Sequence, residues 1–354
     1  MKKVSIFALF ILLGLSLMAC SSDKETLYVL NWGEYMDSDL VRDFEREFNA
    51  RVVYETVGSN EEMELKIKQR ITDYDIVIPS EYMIDKLQQE GLLHPIDRDL
   101  LPNLAQIEFF EDARVIYEGY TIEDYMIPYF FGTIGIMYNT TDPAVKAAIE
   151  ADSLCALFDP ETTFNIGMYD SPRDAVAAAL LCLGYSVNSE DETELQEAED
   201  LLRNASFTRF GEDDLKGDVA LGNLDMALVY SGDYFEMIFV YEEDGAPINF
   251  DYYAPEHTNI WVDGFVIPTT AQNIPLAHAF INFFLDVDHA VQNADWVGYT
   301  PVIVEVFNIM VEDYEYDYEH YYPQPEGTTR EPFRYLGEAH ANRLNEILNR
   351  AKLN

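Results

Sequence analysis

Apolar positions along the chain alternate between two spacings, and that alternation predicts a sheet layered with helices. Leu27-Tyr28-Val29-Leu30 is a short unbroken apolar run, the pattern of a strand buried on both faces, and Asp37-Ser38 then caps a helix that turns Leu40, Val41, Phe44 and Phe48 to one side. A second strand is expected at Val52-Val53-Tyr54. The capping box Ser59-Asn60-Glu61-Glu62 opens a helix through Met63, Ile67 and Ile71, and Asp75-Ile76-Val77-Ile78 is a third strand. A further helix runs from Glu81 to a stop at Gly91. Strand and helix in strict succession predict parallel βαβ units covered on both faces.

The pattern restarts near residue 132. Gly132 to Tyr138 reads as a strand, Pro172 to Leu183 as a helix with proline in its first turn, Glu192 to Leu202 as an acidic helix and Met226 to Tyr230 as another strand. Trp261 to Pro268 is extended, and a helix opened by Pro275 turns Ala279, Phe280, Phe283 and Phe284 inward. No repeat and no long linker separates the two halves. At 354 residues the chain suits two lobes, and lobes without a linker must exchange the chain through short crossover strands, which is a hinge geometry. The Tyr-rich acidic segment Glu312–Tyr322 predicts an exposed, half-packed loop or strand, with Asp317, Glu319 and His320 as a weaker metal-ligand reading that is set aside.

Charge narrows the partners. Lys and Arg sum to 22 against 65 Asp and Glu, a net charge of −43, which repels a phosphate backbone and excludes nucleic acid. The N-terminus adds a location. Lys2 and Lys3 precede an apolar run from Ile6 to Leu15 that is too short to span a bilayer and suits the core of a secretory signal. It ends in Leu17-Met18-Ala19-Cys20, which resembles the lipobox of bacterial lipoproteins, so Cys20 is expected to carry the lipid and the protein to be exported and anchored at the bacterial membrane. An oxidising compartment permits a Cys155–Cys182 bridge, although the apolar run around Cys182 favours a buried free thiol.

Several chemistries lack their marks. The six histidines form no H-E-x-x-H frame, and there is no G-x-S-x-G elbow, Walker loop or G-x-G-x-x-G. Asp286-Val287-Asp288 starts like a calcium loop but has Val291 at the turn and Val297 at the bidentate position. No cofactor or metal is expected. Paired carboxylates for glycoside hydrolysis stay open, because their separation is spatial.

In open α/β sheets ligands sit beyond the carboxyl ends of strands. Here those places hold Asn31-Trp32-Gly33-Glu34-Tyr35, Pro79-Ser80-Glu81-Tyr82 and Trp261-Val262-Asp263, each joining an aromatic ring to a carboxylate. A carboxylate matches an ammonium, and a ring face attracts the same cation while covering its methylenes. Separated ammonium groups on an aliphatic chain require both. Helix N-termini facing the cleft favour anions, so a cation site must override them with full carboxylate charges such as Glu34 and Asp263.

The run Tyr28 to Tyr35 resembles the start of the spermidine/putrescine-binding proteins of polyamine ABC importers. The likeness continues through Tyr74 to Tyr82, Ile127-Pro128-Tyr129, Gly132 to Ile136, Tyr169 to Asp174, Leu183 to Asn188, Trp261 to Pro268 and Val297 to Pro301. The resemblance implies an α/β, two-lobed periplasmic-binding-protein-like fold of type II character, hinged by crossover strands. It implies residues 1–19 as signal peptide, 20–26 as lipidated tether, 27–131 plus 263–307 as lobe 1, and 132–262 plus 308–354 as lobe 2. It places Trp32, Tyr35, Tyr82, Trp261 and Tyr299 around the methylene chain and Glu34 and Asp263 on the amines, with Ser80, Asp170, Asp174 and Asp233 completing the set. Asp233 stands where a small hydroxyl is usual, and Gly33 replaces a hydroxyl residue. The expected protein is a monomer that captures a polyamine, spermidine slightly ahead of putrescine, and hands it to an ABC permease served by a separate ATPase subunit. Rivals are the same scaffold tuned to a sugar, thiamine or a metal ion, an extracellular hydrolase, and a polyamine sensor or adhesin.

Overall fold

The computed structural model describes residues 24–117, 121–322 and 328–353; the signal segment and Cys20 lie outside them. The first sheet is β2-β1-β3, with β1 (Glu25–Trp32) parallel to both β2 (Ala50–Val57) and β3 (Ile76–Val77). Helices Ser38–Glu47, Asn60–Gln69 and Glu81–Gln89 follow the strands as the periodicity predicts, the first two capped by the carboxylate of Asp37 and the hydroxyl of Ser59. Phe44, packed edge-on against Phe280 and Phe283, joins the first of them to the helix Ile274–Phe284.

The second sheet is mixed, in the order β10-β6-β9-β7-β8. Here β9 (Met226–Tyr230) runs parallel to β7 (Ile166–Tyr169), which runs parallel to β8 (Arg209–Gly211), while β6 (Ile134–Asn139) and β10 (Phe250–Tyr253) are antiparallel. The first sheet is wholly parallel, whereas the second holds two parallel and two antiparallel pairs. Each lobe encloses its own core: one is centred on Leu27, Leu30, Ile76 and Phe280, the other on Ile136, Ile166, Val176 and Leu228.

Three passes of chain join the lobes. The strand predicted at 132–138 is split at Thr133 into β5 (Ile127–Gly132) and β6, one in each lobe. The long strand β11 (His257–Phe265) pairs antiparallel with β5 and parallel with β14 (Thr329–Pro332), and these strands form the hinge. Glu81 binds two of the passes together. Its buried carboxylate accepts the Val262 amide at one oxygen and the Phe333 amide at the other, each at 3.1 Å. Burial pushes this carboxyl up to about 8 despite the bonds from the Val262 amide and its own. The remaining short strands, β4 (Leu93–His94) with β12 (Ile267–Pro268) and β13 (Thr300–Pro301) with β5, extend the first lobe.

Two expectations need correction. Cys182 is disulfide-bonded to Cys155 rather than free. It is the last residue of the helix Pro172–Cys182, and the turn Ser153–Phe158 packs on that helix, which brings the two Cα atoms to 4.9 Å. The bridge closes a segment with a sequence separation of 27, so Cys155→Ser/Cys182→Ser should lose about 3 kcal/mol in urea unfolding. Equal stability with and without reductant would count against it. The segment Glu312–Tyr322, in turn, is half-packed, with Glu312–Glu315 and Asp317 exposed, but it belongs to the other lobe. Tyr316, Tyr321 and Tyr322 are buried with Met310 in the first core, although the sequence groups residues 308–354 with the second lobe. His320 from this segment lies 3.0 Å from Asp251 and from Asp317, and these partners hold it up to about 9, so the imidazole is charged and unsuited to a metal.

Candidate functional site

The carboxyl ends of β1, β7 and β9 face the hinge, and a cavity of about 310 Å³ opens between the lobes at that point. Its wall is a continuous series of rings. Tyr169 meets Tyr230 edge-on at 5.0 Å between centroids, Tyr230 meets Trp261 at 5.8 Å, Trp261 meets Tyr299 at 5.5 Å, and Tyr299 meets Tyr35 at 5.5 Å. The series starts in the second lobe, crosses on β11 and ends in the first. Two glycines make the approach possible. A Cβ on Gly132 would stand 2.7 Å from the Trp261 ring, and one on Gly232 would stand 2.2 Å from the Tyr299 ring.

Carboxylates outnumber cations around these rings. Glu34, Glu61, Asp174, Glu212, Asp213, Glu236 and Asp263 line the cavity against Arg173 and Lys216 alone. The second cation is already paired with carboxylates, and the first is spread over ring faces, 4.7 Å from the Phe333 centroid and 5.4 Å from that of Tyr82. The cavity therefore carries a strong negative field into a site with apolar walls.

Asp263 is the focus of that field. It is 5% exposed, its backbone pairs with Ser80, and its Oδ1 has no hydrogen-bond partner among the described residues. Burial pushes its carboxyl up to about 7, against the opposing pull of the Ser80 and Tyr35 hydroxyls. A buried carboxylate that no cation faces costs roughly several kcal/mol, and an ammonium at the unpartnered oxygen would offset it. Ser80 is fixed from behind, its amide donating to Asn60 Oδ1 at 3.0 Å and its hydroxyl accepting from Asn60 Nδ2 at 3.1 Å. Asp174 sits at the start of the helix Pro172–Cys182, buried, and accepts the Tyr230 hydroxyl at 3.0 Å; burial raises its carboxyl as well. Glu34 is exposed at the rim and holds a left-handed backbone with φ of 48°, a conformation that costs a non-glycine residue about 1 kcal/mol or more. The turn after β1 thus presents this carboxylate at the mouth of the cavity.

Trp32, Glu34, Tyr35, Ser80, Tyr82, Asp174, Trp261, Asp263 and Tyr299 all line one cavity, as the resemblance implied. Two residues of that set lie elsewhere. Asp170 is ion-paired with Lys352 of the C-terminal helix, which closes over it from 182 positions away. Asp233 is 2% exposed and lies behind the wall, where Oδ1 accepts the Tyr299 hydroxyl at 2.7 Å and Oδ2 accepts the Tyr230 amide at 2.9 Å. In this arrangement it holds a ring and does not line the cavity. Tyr169 and Tyr230 were missed, although each is the last residue of a parallel strand, the position at which strand-end loops are inspected. Glu61, Glu212, Asp213, Lys216 and Glu236 carried no distinguishing local pattern.

Among the described residues, two carboxylate groups have the spacing to take a metal ion: Glu64, Glu90 and Glu338, and Asp213, Asp233 and Glu236. Both already surround lysine ammonium groups, Lys68 and Lys86 in the first and Lys216 in the second. No helix among the described residues is long and apolar enough to cross a membrane.

Residues 39–317 match the family model described as bacterial extracellular solute-binding protein. The chain is 32% identical over 294 residues to the spermidine/putrescine-binding periplasmic protein of Escherichia coli K12, covering 81% of this chain and 80% of that protein. Among solved structures it superposes on the spermidine/putrescine ABC transporter substrate-binding protein PotD of Streptococcus pneumoniae, with a TM-score of 0.74, 32% identity, and coverage of 93% of this chain and 99% of that one. The Tp0655 (TpPotD) lipoprotein of Treponema pallidum gives a TM-score of 0.76 at 28% identity, over 93% of this chain and all of that one (100%).

Proposed function

This chain belongs to the bacterial extracellular solute-binding proteins, and from that membership and the cavity's chemistry we propose that it captures a polyamine between its lobes for delivery to an ABC permease. The observation that carries the ligand class is the buried Asp263 carboxylate with an unpartnered oxygen, set in a wall of five aromatic rings. An ammonium satisfies the carboxylate, and the methylenes beside it cover the rings. A second ammonium at the opposite end is met by Asp174 or by Glu34 at the rim. Sugars have no charge to set against seven carboxylates, and an anionic solute would be repelled.

Capture requires the lobes to close. Wall and carboxylates come from both lobes, with Tyr35, Tyr299 and Asp263 on one side and Tyr169, Asp174 and Tyr230 on the other. A ligand that touches both sets favours the closed arrangement by its differential affinity. Chemical turnover is not part of this reading, since the family is one of solute-binding proteins. The protein works outside the cytoplasm as a family member, and Cys20 in its lipobox-like setting supports a lipid anchor, which acid hydrolysis and acyl-chain mass spectrometry of the membrane fraction would test.

The test of the ligand is a thermal-shift panel with spermidine, putrescine, spermine, thiamine and maltose. A ligand at 100 times its dissociation constant stabilises by about 2.7 kcal/mol, enough to raise the transition by several degrees. A shift with polyamines only is expected. No shift with any of them would end the proposal.

A further inference from the structure

Next to Tyr299 lies a group of acids, two of which line the cavity, that the proposed mode of capture does not use. Lys216, from the helix Leu215–Ala220, lines the cavity among them yet is 6% exposed. Its Nζ lies 2.6 Å from Asp213 Oδ1, 2.5 Å from Glu236 Oε2 and 3.5 Å from Asp233 Oδ1. Asp233 in turn accepts the Tyr299 hydroxyl, so this cup adjoins the ring wall directly. A lysine side chain is four methylenes ending in an ammonium, the same chemistry as the aminobutyl arm of a polyamine. The cup is therefore a formed alkylammonium site whose occupant belongs to the chain itself.

We propose that Lys216 is a specificity-determining residue that stands in for one ligand ammonium and so limits how many amines a bound polyamine can place in the cavity. The inference rests on the polyamine reading above and deepens it. A ligand long enough to reach the cup meets a like charge if Lys216 stays, and must leave a buried ammonium without its carboxylates if Lys216 is displaced. Both outcomes penalise the additional amine. Ligands short enough to be held by Asp263 and Asp174 alone place no amine in the cup and should be unaffected. The surplus of acid there is real: burial pushes Glu236 up to about 7 and raises Asp233, while the three carboxylates hold the Lys216 ammonium firmly charged.

Lys216→Met keeps most of the methylene chain and removes the charge, and calorimetric titration with putrescine, spermidine and spermine reads the consequence. The affinity for spermine relative to putrescine should rise at least tenfold, and adding Glu236→Gln should take most of that gain away. A folded Lys216→Met protein in which all three amines change in parallel would overturn the inference. A crystal structure of the unaltered protein with the longest amine that binds gives an answer that does not depend on the variant folding. The expected complex keeps Lys216 Nζ among its carboxylates, with no ligand nitrogen within about 4 Å of Asp213 or Glu236. A ligand nitrogen seated in the cup with Lys216 displaced overturns the proposal. If the unaltered protein binds none of the amines, the polyamine reading falls and the inference with it; if it binds them and Lys216→Met leaves selectivity unchanged, only the inference falls.

Discussion

Replacing Asp263 by asparagine is expected to weaken polyamine binding by about 100-fold while leaving the fold intact. The substitution keeps shape and volume, so Trp261, Tyr35 and Ser80 hold their positions. What it removes is the one negative charge that an ammonium buried against these rings can meet there. Truncating one member of a buried charge pair costs on the order of 2–5 kcal/mol, because the other charge is left dry and unpaired. The protein itself should be no less stable at pH 8, since the ordinary carboxylate is held in burial at a cost that raises it to about 7. Loss of affinity without loss of stability separates a binding role from a structural one. Asp317→Asn is the control: that carboxylate is exposed, sits by His320 and does not line the cavity, and its loss should change affinity less than about 2-fold. Equal losses in the two variants, or binding by Asp263→Asn at the original strength, would remove the central support for the site.

Affinity should also fall steeply in acid. With burial holding Asp263 up to about 7, the empty site is largely protonated below that pH, and a neutral carboxyl does not attract an ammonium. Binding must then expel a proton. The dissociation constant is expected to rise about tenfold per pH unit from 7 down to 5 and to level off above 8, while the ligand amines stay charged throughout. Titration calorimetry at pH 6 in buffers of different ionisation enthalpy should detect the release of close to one proton. Stability without ligand runs the other way. Asp263 and Glu236 at about 7 and Glu81 at about 8 bind protons more tightly folded than unfolded. Their contribution is complete below about pH 4 and is lost as pH rises through 7 to 8, so the ligand-free protein should melt higher at pH 5 than at pH 8. A flat binding profile between pH 5 and 8 would show that no carboxyl with a raised pKa meets the ligand.

Much of this site was legible because its members occupy positions that local rules single out. Trp32 ends the first strand and Tyr35 follows it, Ser80 and Tyr82 follow the third, and Asp174 falls in the first turn of a proline-started helix. Spacing of apolar residues located the strands and helices it singled out to within a few positions, since that signal arises within one or two turns of chain. Asp233 shows where such reasoning stops. The resemblance set it among the residues of the pocket, yet the helix Ser231–Glu243 buries it against Tyr299, 66 residues away, and gives its second oxygen to the Tyr230 amide.

The chain's order of residues by itself determined the α/β layering, the hinge crossing near residue 132 and at Trp261, the excess of acid, and the pairing of rings with carboxylates at strand ends. Only the tertiary structure decided which carboxylates meet a ligand and which are spent inside the protein. Lys352 claims Asp170 over 182 positions, Lys216 gathers Asp213 and Glu236 from separate elements, and Cys155 joins Cys182 where a turn packs on a helix end. Charges and thiols reach for partners over a few ångströms of space, and which partner arrives depends on how two lobes and their crossover strands close. Periodicity along the chain carries no record of that closure, whereas it records very well which face of each element must leave water.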